Sequence, residues 1–229
     1  MKLKFTCSIF VAVLMLLASC ASADNKQTVV PSSNEIWTEA LAKYRADDSV
    51  RNLALVQCTG GSDARVLIFA KDDNAHAWRL VRDTDAFIGR NGYTDAKREG
   101  DGMTPVGDFG ILSAFGILDA PAGCPMHYVK VNEYTYAIDG DNEFYNKIID
   151  TEEGGPRQGE HMIDYTPEYN YGLALDYNKE CVPGLGSNIF FHCKGVKPYT
   201  GGCVAVDEDV MEMIVSMFSS SDRVIIGPR

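Results

Sequence analysis

The chain has 229 residues, 45% of them hydrophobic, and a formal charge of −11 from 32 acidic and 21 basic side chains. That acid excess argues against nucleic acid as a partner, because neutralising phosphates needs clustered Lys and Arg. Length and apolar content suffice for one well-buried core, and no apolar stretch beyond the N-terminus is long enough to span a bilayer.

Lys2 and Lys4 precede an apolar run from Ile9 to Ala18 and then small residues, the pattern of an export signal over residues 1–23. Two processing sites compete. Leu17-Ala18-Ser19-Cys20 fits a lipoprotein box, which would leave Cys20 lipidated, and Ala21-Ser22-Ala23 fits ordinary cleavage; the first is favoured. Either route exports the protein to the periplasm or cell envelope, with a lipid on Cys20 as its expected membrane contact. Removing residues 1–23 takes away Lys2 and Lys4 and no acid, so the formal charge moves from −11 to −13.

Residues 24–50 read as a linker and N-terminal helix, and 51–229 as the main domain. The segment from Asp24 to Ser33 is polar and unpatterned, as a tether would be. A helix is expected from Asn34 to Tyr44, capped by Ser33, with Ile36, Trp37, Ala40, Leu41 and Tyr44 on one face. Leu53–Cys58, Arg65–Ala70 and Ala77–Arg82 then read as strands of a meander, with His76 at a hairpin shoulder in a structural role. Gly100-Asp101-Gly102-Met103-Thr104-Pro105-Val106-Gly107 is a glycine-dependent turn before an expected strand at Asp108–Leu112.

From Ala114 to Glu180 the chain is rich in Tyr, Asp, Asn and Gly. Rings that stack and amides that hydrogen-bond suit a groove for a glycan or peptide, although strand packing would use the same tyrosines. Asp139-Gly140-Asp141-Asn142-Glu143 has the flavour of a calcium loop but lacks the remaining ligand positions, so no metal is expected there. Gly172–Tyr177 should be a strand beside the one that follows.

Ile189-Phe190-Phe191-His192-Cys193 is an apolar strand, so His192 shares a face with Phe190 while Cys193 shares the opposite face with Phe191. The chain then turns and delivers Cys203 behind Gly201 and Gly202. A free thiol is only a few per cent thiolate at neutral pH, and an imidazole within reach raises that fraction as a thiolate–imidazolium pair. Cys203 is therefore read as a nucleophile and His192 as its base. The backbone N–H groups of Gly202 and Cys203 are expected to face an oxyanion. The competing reading of such a pair is a buried Cys and a satisfied His. Beyond them, Asp207 should cap a helix to Phe218 with Val210, Met213, Ile214 and Met217 inward, and Arg223–Ile226 should close the sheet.

Thr200-Gly201-Gly202-Cys203-Val204, after a strand ending in His192, resembles the active-site signature of the YkuD-type L,D-transpeptidases. Gly100-Asp101-Gly102-Met103-Thr104-Pro105-Val106-Gly107-Asp108-Phe109 is similar to a second segment of that family, and the resemblance spans about Leu53 to Gly227. It departs in two places: the family's usual His two residues before the nucleophile is Gly201, and the Arg or Asn two residues after it is Ala205. The resemblance implies a mainly β (α+β) fold, an L,D-transpeptidase-like β-sandwich with a few short helices. It implies a cysteine acyltransferase that acts on peptidoglycan stem peptides through a thioester, with Thr200, Gly201 and His161 touching substrate and His127 a weaker candidate. Hydrolysis of the same bond, an L,D-carboxypeptidase activity, and a non-catalytic wall-binding lipoprotein are the alternatives. No cofactor is implied, and a monomer is expected.

In an exported chain disulfides are permitted, and four paired cysteines would leave Cys203 free; Cys124 with Cys181 is the expected pair, and for Cys58 and Cys193, on predicted strands, a second disulfide and burial as small hydrophobes stand equal. A zinc site from Cys181, His192, Cys193 and Cys203 is set aside, since no Cys-x-x-Cys pair exists and His192 and Cys193 point to opposite faces.

Overall fold

The computed structural model describes residues 35–72 and 77–229. The expected export signal, the expected 24–33 tether with its Ser33 cap, and His76 lie outside these residues. In chain order the elements are α1 (Glu35–Arg45), β1 (Asn52–Gly60), β2 (Asp63–Lys71), β3 (Trp78–Phe87), β4 (Tyr93–Thr94), β5 (Thr104–Pro105), β6 (Gly107–Phe109) and β7 (Ile111–Gly116). These are followed by β8 (Tyr128–Lys130), β9 (Thr135–Ile138), β10 (Ile148–Asp150) and β11 (Gly159–His161). The chain closes with β12 (Gly172–Leu175), β13 (Phe190–Cys193), β14 (Val204–Val206), α2 (Glu208–Met217) and β15 (Arg223–Pro228).

The fold is mainly β. Ten strands form one mixed sheet in the order β6-β15-β1-β2-β3-β14-β13-β12-β7-β8, with β1, β2 and β3 as the expected antiparallel meander. Ala54, Val56 and Val66 share a core with Leu173, Phe191 and Val204 from the far half of the sheet, so the sheet curls until its halves face each other. α2 covers that core with Val210, Met211, Ile214 and Val215. Met213 and Met217, expected inside, sit only partly buried at its edge. Asp207 precedes α2 in extended conformation but makes no side-chain cap; its carboxylate pairs with Lys194 at 3.1 Å.

α1 packs on the outer face of β1 and β2. Trp37, Ala40, Leu41 and Tyr44 bury against Leu53, Leu55, Leu67, Phe69 and Trp78. Asp108 fastens the helix, accepting from Lys43 at 2.7 Å, Tyr44 at 2.6 Å and Arg223 at 2.9 Å.

The strand expected at Asp108–Leu112 is two strands at different places in the sheet. β6 pairs with β15 and β7 with β12, and the break falls at Gly110. There the Asp176 carboxylate accepts the Gly110 N–H at 2.7 Å, and a Cβ at Gly110 would lie 2.6 Å from that carboxylate. β9, β10 and β11 make a separate three-stranded sheet inside the tyrosine-rich segment. Tyr145, Tyr169 and Tyr171 are buried there, so much of the aromatic content serves packing.

All five described cysteines are free, and the Cys124–Cys181 pairing is not formed. Each thiol turns to a carbonyl of its own loop, Cys124 to Met126 at 3.7 Å and Cys181 to Lys179 at 3.6 Å.

Candidate active site

β13 lies between β12 and β14, antiparallel to the first and parallel to the second, with His192 opposite Gly172 and Ala205. Pleating sends Phe191 and Cys193 into the main core, and sends Phe190 to the other face, against which Cys203 packs. His192 and Cys203 both line one cavity of about 370 Å³. The strand alternation thus selects His192 over Cys193 as the residue that shares a space with Cys203.

The His192 tautomer follows from its neighbour. Nδ1 lies 2.7 Å from the Cys193 carbonyl, which can only accept, so Nδ1 carries the proton and Nε2 is the free base. Tyr169 stands edge-on to the imidazole with ring centroids 5.4 Å apart, and its hydroxyl donates to Glu160. Burial lowers the His192 pKa, while the Cys193 carbonyl and Glu168 act against that.

Cys203 sits at the entry to β14. Its thiol donates to the Asn188 carbonyl at 3.3 Å, and Sγ accepts the Phe190 N–H at 3.3 Å. Burial, and then the Glu160 charge, push the thiol up to about 12, with the Phe190 N–H and Lys97 pulling the other way. Burial thus disfavours both the thiolate and the imidazolium.

The loop before Cys203 is held from two sides. Thr200 Oγ1 donates to the Cys203 carbonyl at 2.7 Å and accepts the Gly202 N–H at 3.1 Å. Thr104, within the glycine-rich turn, donates to the same carbonyl at 3.3 Å and accepts the Gly89 N–H at 2.8 Å. The two sequence blocks are therefore one structural unit, in which the first braces the Cys203 loop. Gly202 is at φ +152°, and a Cβ there would come within 2.9 Å of the Met103 carbonyl. Gly201 by contrast faces open space.

Thr200, Gly201 and Gly202 all line the cavity, with the Thr200 hydroxyl and the Gly202 N–H engaged to each other. His161 is not brought to it. β11 presents Glu160 to the cavity, so the next residue faces away: His161 stacks on Tyr136 and bonds the Glu133 carbonyl and Asp164 at 2.9 Å each. The Glu133 carbonyl, with Asp164, raises its pKa. His127 does not line the cavity either. The groups that sequence reading passed over are Lys97, Glu160, Glu168, Tyr169 and Asn188, all cavity-lining. Lys97 had one available signal, its place three residues ahead of the Gly100 block. Burial pushes the Glu160 carboxyl up to about 7, and the Tyr169 hydroxyl opposes this. No group of three or more metal-ligating side chains occurs among the described residues.

Comparison with known proteins places the chain. The model of the YkuD family, described as the L,D-transpeptidase catalytic domain, matches residues 61–226. Solved structures similar to it include the Ldtfm–avibactam carbamoyl enzyme (12% identity, TM-score 0.39, covering 80% of this chain and 50% of that one). A cysteine-to-serine variant of the Enterococcus faecium L,D-transpeptidase is similar at 13% identity and TM-score 0.36, over 78% of this chain and 49% of that one. An L,D-transpeptidase from Stackebrandtia nassauensis is similar at 12% identity and TM-score 0.35, over 86% and 69%. The chain thus spans about half the length of the first two. A search of curated proteins found no match. On the family match, which covers well over half of its length, the chain belongs to the YkuD L,D-transpeptidase catalytic-domain family.

Proposed function

We propose that the protein is an exported cysteine acyltransferase acting on peptidoglycan stem peptides. The observation that carries this reading is the shared cavity of Cys203 and His192, with Nδ1 locked on the Cys193 carbonyl and Nε2 left to accept a proton.

In the acylation step Cys203 Sγ attacks the carbonyl of the residue joined to a terminal D-amino acid. The thiol proton passes to His192 Nε2 as the S–C bond forms, so no thiolate need persist in the buried site. Collapse of the tetrahedral intermediate breaks the C–N bond, and the imidazolium returns the proton to the departing amine. The free D-amino acid leaves a thioester on Cys203. A second stem's amine then attacks the thioester carbonyl, His192 takes the amine proton, and the thiol is regenerated with a cross-link.

Hydrolysis is the second reading, and Gly201 favours it. With no side chain and open space beside it, this position leaves the mouth next to the nucleophile uncovered, which suits water as the acceptor.

The test is intact-protein mass spectrometry after brief exposure to a tetrapeptide stem. The reading expects a mass increase equal to the acyl tripeptide, on the wild type and absent from Cys203→Ala. No adduct and no released D-amino acid from several stem compositions would overturn it.

A further inference from the structure

Three cations line the cavity: Arg90, Lys97 and Lys197. Arg90 and Lys197 are exposed, whereas the Lys97 side chain is only 5% exposed. Its Nζ donates to Asp101 Oδ1 at 2.5 Å and to the Arg98 carbonyl at 3.0 Å. An ammonium has three N–H bonds, so one remains. A Cβ on Gly202 would lie 3.4 Å from this Nζ, which places the ammonium beside the residue that precedes the nucleophile. Asp101 is itself fixed by the N–H groups of Arg98 at 2.8 Å and Met103 at 2.9 Å, so the cation is mounted on a rigid turn.

We propose that Lys97 is the anion-recognising residue of this cleft, and that its remaining N–H receives the terminal carboxylate of the acyl donor. The inference rests on Cys203 being the nucleophile. In a donor that loses its last residue, that residue's carboxylate carbon is three bonds from the attacked carbonyl, within about 4 Å of it. A cation that recognises it must therefore stand next to the nucleophile, which is where Lys97 stands. On the loop that leads to Cys203 the cavity-lining cation, Lys197, is exposed, so that loop holds no buried charge to do this. Lys97 supplies it from the neighbouring block. The remaining charged groups of the lining, Glu99, Asp139, Glu160 and Glu168, would repel an anion, so a carboxylate has one buried partner in the cleft.

The test compares iodoacetate with iodoacetamide, two reagents that deliver the same carbon to sulfur and differ in charge. Alkylation rates at Cys203 and at Cys181 are read by peptide mass spectrometry on one intact protein. Lys97 should make the iodoacetate-to-iodoacetamide ratio about tenfold higher at Cys203 than at Cys181. Lys97→Met should abolish the excess and Lys97→Arg should keep most of it. A wild-type ratio equal at the two cysteines, or an excess untouched by Lys97→Met, overturns the proposal while leaving the nucleophile standing. If neither reagent alkylates Cys203 at any rate while both alkylate Cys181, the thiol is closed to a carbon electrophile in the cleft, and the nucleophile assignment falls and takes this inference with it. As an independent measurement, wild type should turn over a donor stem with a free C-terminus faster than its C-terminal amide, and equal rates would contradict the proposal.

Discussion

Tyr169 stands edge-on to His192 at 5.4 Å between ring centroids while its hydroxyl is held by Glu160, so one buried ring joins the proposed base to a carboxylate across the cleft. Tyr169 also packs on Phe115 and Phe190, which fixes its plane. Tyr169→Phe keeps the ring and removes the donor. It should lower stability by about 1 kcal/mol, measured by denaturant melts, and move the Glu160 titration upward, because the lost hydrogen bond favoured the charged form. A Glu160 titration that stays in place would show that the hydroxyl does not act on the carboxylate.

Glu160 also sets a pH dependence of stability. Its folded pKa is raised by burial from an ordinary 4.5 to about 7, so the folded state holds more protons than the unfolded state between those values. Stability from this group is therefore present at low pH and is lost as pH rises from 4.5 through 7, by about 3 kcal/mol. His161, with its raised pKa, adds a loss on the alkaline side, and His192, with its lowered pKa, opposes with a gain as pH rises. Comparing wild type with Glu160→Gln isolates the first contribution. The difference in unfolding free energy should change across this window and be flat above it, and a flat difference throughout would contradict the assignment.

The reacting pair should show a displaced acid limb. Because burial lowers the His192 pKa, the base stays neutral below the ordinary imidazole range, and thioester formation should fall only when pH drops below 6.5. An acid limb above that value, persisting in Glu160→Gln, would mean that the imidazole is charged at rest.

Two adjacent glycines should respond in opposite ways. Gly202→Ala forces a side chain into φ +152° and against the Met103 carbonyl, at a cost of about 2 kcal/mol, and shifts Cys203 enough to remove most activity. Gly201→Ala meets open space and should be within about 0.5 kcal/mol of wild type. Equal melting temperatures for the two variants would contradict the loop geometry.

Local patterns carried the strand meander, the α1 stripe and the facing of His192, because each depends on the period of the element alone. The pleat at Phe190–Cys193 decided which of two neighbouring residues shares a cavity with Cys203 before any contact was known. What stayed hidden depends on distant partners. Gly110 divides β6 from β7 because the Asp176 carboxylate reaches it from 66 positions away. His161 looked like a cleft residue, yet its facing is set by the pairing of β11 with β9, which places Glu160 inward instead. Tyr169 is a common residue type with no spacing signature and Lys97 has only its place ahead of the Gly100 block, so it is the packing of their loops against Gly202 and His192 that makes them part of the site.

The central claim is tested most directly by incubating the protein with disaccharide-tetrapeptide and separating the products by liquid chromatography and mass spectrometry, with Cys203→Ala and His192→Ala alongside. The account predicts free D-amino acid together with cross-linked dimer, or with tripeptide where water is the acceptor, all absent from Cys203→Ala and nearly absent from His192→Ala. Products of equal yield from either variant, or none from the wild type, would contradict it.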